Sequence, residues 1–137
     1  IVFRLIPLPT KDITLLIPFE SNEEACKAVS AIFRAGITPS ALEFLERDAI
    51  EWTINYLDIV MQINDKVQAH LLVEVDGNDI ELLYRESEKI ANIMNNFNCG
   101  EILIADSNAQ KERKLLVRNL LFSHICNLYI KSKLSIV

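Results

Sequence analysis

Pro39-Ser40-Ala41-Leu42-Glu43-Phe44-Leu45-Glu46-Arg47-Asp48-Ala49-Ile50 and Ala69-His70-Leu71-Leu72-Val73-Glu74-Val75-Asp76-Gly77 decide the fold of this chain. Both stretches read as strands. Both place ionisable side chains where a half-buried sheet favours β-branched or aromatic residues. Alternation sorts their side chains between two faces. If Leu42 and Phe44 point to one side, then Ala41, Glu43 and Leu45 point to the other. If Leu71, Val73 and Val75 share the first side, then His70, Leu72 and Glu74 share the second. One face is therefore apolar throughout, and the other mixes apolar residues with Glu43, Glu74 and His70.

Working outward, Ile13-Thr14-Leu15-Leu16-Ile17-Pro18-Phe19 is a strand with Pro18 near its end or on an edge. The apolar run at 1–8, closed by Pro7 and Pro9, is a lead-in strand or connector. Ser21 opens a helix, and Glu24 three residues later completes a capping box. Ala25, Val29, Ile32 and Phe33 follow at helical spacing, and Gly36 stops the helix. A short helix over 50–60 carries Trp52 and Tyr56 on one side, and a polar loop covers 61–68. Asn78, with Glu81 three residues on, caps a further helix. The buried stripe expected there is Ile80, Leu83, Tyr84, Ile90, Ala91, Met94 and Phe97. Cys99-Gly100 ends that unit, and Glu101-Ile102-Leu103-Ile104-Ala105-Asp106 is the fourth strand. A last helix spans about 108–129.

The order is β-α-β-(α)-β-α-β-α. Two βαβ halves joined between the second and third strands make a ferredoxin-like split βαβ sandwich of class α+β. It has four antiparallel strands, helices on one face and an extra C-terminal helix. The 137 residues suit a single domain. Half of them are hydrophobic, which excludes disorder and leaves apolar surface for a partner domain or for self-association.

The net charge of −5 and the absence of a basic stripe argue against nucleic acid. The clustered cations Lys111, Arg113, Lys114 and Arg118, mixed with Glu112, read as a solvated helix face. Cys26, Cys99 and Cys126 form neither a disulfide framework nor a zinc set, and Cys26 and Cys126 read as core thiols. A reducing cytoplasm fits such cysteines. No run approaches the ~18 apolar residues of a membrane helix, and Arg4 and Pro7 interrupt the apolar start of a would-be signal peptide. The chain starts at Ile1 within a strand-like run, as an excised piece of a longer protein would.

Few residues carry recognisable chemistry. His70 and His124 are the only histidines, and a lone strand histidine reads first as packed or solvated. Glu43 is an acid–base or orienting group if buried beside a ligand, and otherwise a partner of Arg47 or of a backbone donor. Asp76-Gly77-Asn78-Asp79 is a turn and helix cap, since the remaining ligands of a calcium loop are missing. Three glycines cannot build a Gly-x-Gly-x-x-Gly phosphate loop.

The two quoted strands, with the helix from Ser21 to Ile37 before them, resemble the substrate-cap domain of the FAD-linked oxidases. That family includes glycolate oxidase flavoprotein subunits and D-lactate dehydrogenases. The likeness covers roughly residues 1–118. It implies a sheet laid over the flavin of a neighbouring domain and the oxidation of a D-2-hydroxyacid to a 2-oxoacid, with FAD accepting the hydride. Members follow the fourth strand with Glu-Arg-Leu-Trp-x-x-Arg. Here Glu112-Arg113-Lys114-Leu115-Leu116-Val117-Arg118 stands in its place, with Leu115 where Trp is usual. The resemblance thus implies Arg118 as a substrate-binding position, through the two parallel hydrogen bonds a guanidinium offers a carboxylate, and Glu43, from its own place on the outward face, is the second substrate-binding candidate. It fades after Arg118. Neither the family's flavin-binding domain nor its His-x-Gly-Asp-Gly-Asn-x-His segment is present, so the expectation is a partial cap domain, inactive alone and without tight FAD binding. The alternative is a free-standing ferredoxin-like module for ligand sensing or oligomerisation.

Overall fold

A computed structural model describes residues 7–57 and 64–106, excepting the side chains of 53–57. The elements run β1 (Lys11–Phe19), α1 (Asn22–Arg34), β2 (Ala41–Glu46), α2 (Arg47–Leu57), β3 (Ala69–Gly77), α3 (Ile80–Met94) and β4 (Leu103–Ala105). The sheet order is β2-β3-β1-β4, and every neighbouring pair is antiparallel. This is the expected split βαβ sheet. The helix expected over 108–129, with Arg118, His124 and Cys126, lies outside the described residues.

The core forms because strand alternation turns one row of each strand toward α1 and α3. Ile13, Leu15, Ile17 and Phe19 are fully buried and stand directly across from Val75, Val73, Leu71 and Ala69. Ala25, Ala28 and Ile32 of α1 and Leu83, Ile90 and Met94 of α3 close over them. Burial of this kind contributes roughly 1.5–3 kcal/mol per large aliphatic side chain.

Both long helices start on side-chain caps, though not quite as expected. Ser21 Oγ accepts the Glu23 N–H at 3.2 Å, while Glu24 is turned to Lys27 rather than back to the cap. The α3 cap is Asp79, whose carboxylate accepts the Glu81 N–H at 3.0 Å. Asn78, the expected cap, instead accepts from the Thr10 N–H and hydroxyl at 3.1 and 3.0 Å. Gly36 ends α1 with φ +77°, a conformation that side chains resist.

Three residues expected inside lie on helix flanks. Phe33 and Cys26 sit about 80–100° around α1 from its buried stripe, and Tyr84 lies about 100° from that of α3. All three are exposed. Small Ala28 and polar Ser87 occupy the inward positions in their place.

The fourth strand is shorter than the expected 101–106. Pro18 offers its carbonyl to the Gly100 N–H at 2.9 Å but has no N–H to return on that side, so the ladder is interrupted there. Gly100 is pressed against the ring: a Cβ would lie 3.0 Å from Pro18 Cγ.

α2 begins directly after β2 and lies against the sheet's second face. Ile50 and Ala49 pack with Leu45, Leu72 and Leu16 there. That face, read from the sequence as free of helices, is therefore covered at its β2 end, while α1 and α3 share the first face as expected.

Candidate functional site

The second face is built from alternate residues of four strands. β1 contributes Asp12, Thr14, Leu16 and Pro18, and β3 contributes Asp76, Leu72, Glu74 and His70. β2 adds Ala41, Glu43 and Leu45, and β4 adds Leu103 and Ala105. Glu43 stands opposite Leu72 and is half-buried; His70 stands opposite Leu45, diagonally beside Glu43. The sequence reading placed Glu43, His70 and Glu74 on one face, and they are there together.

His70 is packed, with 6% of its surface exposed, and its Nδ1 has no hydrogen-bond partner. Burial pushes its pKa below the usual imidazole range, because the apolar surroundings oppose the charged form. It is thus a neutral ring at pH 7. Thr14 and Ala105 are also buried on this face. Glu74 receives the Ser40 hydroxyl, at 3.1 Å on its backbone carbonyl and 3.4 Å on its carboxylate.

Arg47, one expected partner of Glu43, is engaged elsewhere. Its guanidinium donates to the carbonyls of Asn64, Asp65 and Val67 at 3.3, 2.8 and 3.0 Å. It also pairs with Glu51 at 2.5 Å and Asp65 at 3.5 Å. Its own N–H meets the Gln68 carbonyl at 2.9 Å. One residue thereby closes both ends of the α2–β3 connection, as bidentate donors do well. Spacing alone gave no sign of this, since the acceptors are backbone carbonyls of a loop.

Asp12 and Thr14 were also missed at this face. The alternation already used for the second and third strands would have found them on the first. Elsewhere, the Tyr84 hydroxyl donates to Asp106 at 2.6 Å, and that carboxylate holds the phenol above its ordinary range. Burial pushes the Cys99 thiol up.

The described residues do not fit the pyrophosphate of a flavin dinucleotide. Gly36 ends a helix, Gly77 ends β3 and Gly100 packs on Pro18, so no glycine-rich cradle is formed. Among the described residues no group of histidine, cysteine or carboxylate side chains could hold a metal ion. What the second face offers is a slab of mixed apolar and acidic side chains.

The described residues thus form a four-stranded split βαβ domain of class α+β. Residues 8–134 match the family described as FAD linked oxidases, C-terminal domain, and the chain belongs to that family. It is similar to a D-lactate dehydrogenase of Anaerostipes hadrus, 29% identical over 129 residues, which are 91% of this chain and 27% of that protein. It is also similar to the glycolate oxidase subunit GlcD of Bacillus subtilis (strain 168), 36% identical over 89 residues, 65% of this chain and 18% of that protein. The chain thus spans about a quarter or less of the length of these relatives. Among the described residues no helix is long and apolar enough to cross a membrane.

Proposed function

We propose that this chain is the substrate-side cap of an FAD-dependent oxidoreductase that converts a D-2-hydroxyacid of the glycolate or lactate type to its 2-oxoacid. The observation that carries the reading is the family match over residues 8–134, joined to two similar proteins named for lactate and glycolate. In this reading the FAD belongs to a partner flavin-binding domain and accepts the hydride. The cap contributes binding and orientation. Arg118 holds the substrate carboxylate through a forked pair of hydrogen bonds, and Glu43 orients the substrate from the second face of the sheet. The chain is one domain of a larger protein and inactive on its own.

The test is anaerobic mixing of the flavoprotein carrying this domain with glycolate, D-lactate and L-lactate while following flavin absorbance. Glycolate or D-lactate bleaches the flavin and L-lactate does so far more slowly. Flavin that none of the three reduces would overturn the substrate assignment.

A further inference from the structure

A small apolar contact holds α2 to the second face of the sheet. Among the described residues its buried members are Leu45, Ile50 and Leu72, with Leu16 and Ala49 packed against them. The larger core lies on the other face, under α1 and α3. The start of α2 is tied separately. Arg47 follows Glu46 of β2 without a loop, and its guanidinium donates to the carbonyls of Asn64, Asp65 and Val67.

His70 belongs to the floor of that contact. Leu45 stands directly across from it on β2, Leu72 is the next residue of β3 on the same face, and Leu16 stands diagonally on β1. Pro18, its direct neighbour on β1, is apolar as well. The ring keeps only 6% of its surface exposed, and its Nδ1 has no hydrogen-bond partner. An imidazole packed in this way is tolerated as a neutral ring, whereas a charge there would lose its water without replacement.

The charged groups around the ring are divided. On β2, Glu43 and Arg47 flank Leu45, so an acid and a base approach His70 from the two diagonals, ~7 Å away in such a ladder. Arg47 is held by the 64–67 carbonyls, Glu51 and Asp65, and Lys66 of the same loop is exposed. Glu74 lies two positions further along this face of β3. On α2, Asp48 is exposed, and the sequence at 53–57 adds Tyr56 as its one ionisable residue. Glu20, beyond the end of β1, receives the Asn98 amide. Burial dominates, and it pushes the ring's pKa below its ordinary 6.5.

We infer that His70 is a pH-sensitive latch for α2: neutral, it packs beneath the helix; protonated, it releases the helix and uncovers the β2 end of the face that carries Glu43. Release wets the ring and restores its ordinary proton affinity. Opening therefore takes up a proton below pH 6.5 and grows by up to ~10-fold per pH unit down to the pKa of the docked ring. The latch stands on the packing around His70; only the use made of the uncovered face rests on the substrate-cap reading.

Native-state amide exchange of the full 137-residue chain, corrected for intrinsic rates, tests it. The α2 amides should exchange through an opening smaller than global unfolding, hence with less protection than those of β1 and β3. Their protection should fall about 3-fold or more between pH 7 and 5.5, and His70→Leu should hold it level. A smaller fall in the wild type, an equal fall in His70→Leu, or α2 amides as protected as those of β1 and β3 would overturn the proposal. A second measurement needs no variant to fold differently. Nuclear magnetic resonance of the wild type should show the His70 ring titrating below 6.5 in step with shifts of the α2 amides. A ring that titrates while those amides stay in place would reject the latch.

Discussion

His70 and Ser87 are the two described residues whose buried polar atoms lack partners, and each makes a measurable prediction. A buried histidine with a lowered pKa is neutral in the fold but readily protonated when unfolded. Its unfolded form therefore binds more protons below the ordinary value of 6.5, and stability is lost as pH falls from there through the folded pKa. Urea unfolding between pH 7.5 and about 5 should show this loss, and His70→Leu should lessen it, since His70 is the one histidine among the described residues and an imidazole titrates in that window. An equal slope in both proteins would place the proton uptake elsewhere. Ser87 occupies a position on α3 between core residues, and its hydroxyl forfeits hydrogen bonds to water without replacement. Ser87→Ala should stabilise the chain by about 1 kcal/mol, through both the relieved hydroxyl and the better helix former. A destabilised variant would show that the hydroxyl has a partner. Neither residue announces itself in the sequence. His70 read as merely packed or solvated, and Ser87 was passed over because a helical stripe is sought among apolar residues.

Elements were far more legible, and the reason is periodicity. Strand alternation fixed the faces of β2 and β3, and the 3.6-residue stripe with terminal caps located α1 and α3. What escaped was detail that depends on three-dimensional neighbours. Phe33, Cys26 and Tyr84 satisfy an apolar pattern loosely but lie too far around their helices to reach the core. Asn78 and Asp79 are both good caps, and the choice fell to Asp79 because Asn78 is claimed by Thr10, 68 residues away in sequence. Asp79→Ala should therefore cost about 1 kcal/mol through loss of the α3 cap. Asn78→Ala should leave the helix start intact and release the 7–10 segment instead, visible as faster amide exchange of Thr10. Equal loss of helix protection in the two variants would contradict the assignment. α2 was expected as a helix, yet its place against the second face follows from Ile50 meeting Leu45 and Leu72, a contact no local pattern encodes.

At the scale of the molecule, the chain belongs to the family of FAD linked oxidases, C-terminal domain, and spans about a quarter or less of the length of its relatives. The fold was legible because the four strands and two capped helices come in split βαβ order. On the second face, alternation along β2 and β3 placed Glu43, His70 and Glu74, and the same alternation along β1 adds Asp12, opposite Asp76. Leu103 and Ile104 remain 45% and 50% exposed on β4, apolar surface of the kind that invites association. The isolated chain should self-associate there, and a clean monomer by light scattering at high concentration would contradict this. It should also fail to bind FAD tightly, since no described loop cradles a pyrophosphate; stoichiometric quenching of flavin fluorescence at micromolar concentration would refute that. The central claim is that this domain reads the substrate and leaves the flavin to its partner. Steady-state kinetics of Arg118→Lys in the flavoprotein test it most directly. Removing one side of a buried charge-assisted pair costs on the order of 2–5 kcal/mol. The account predicts a strongly raised KM for the hydroxyacid with normal flavin content, whereas unchanged kinetics, or loss of flavin in place of substrate affinity, would contradict it.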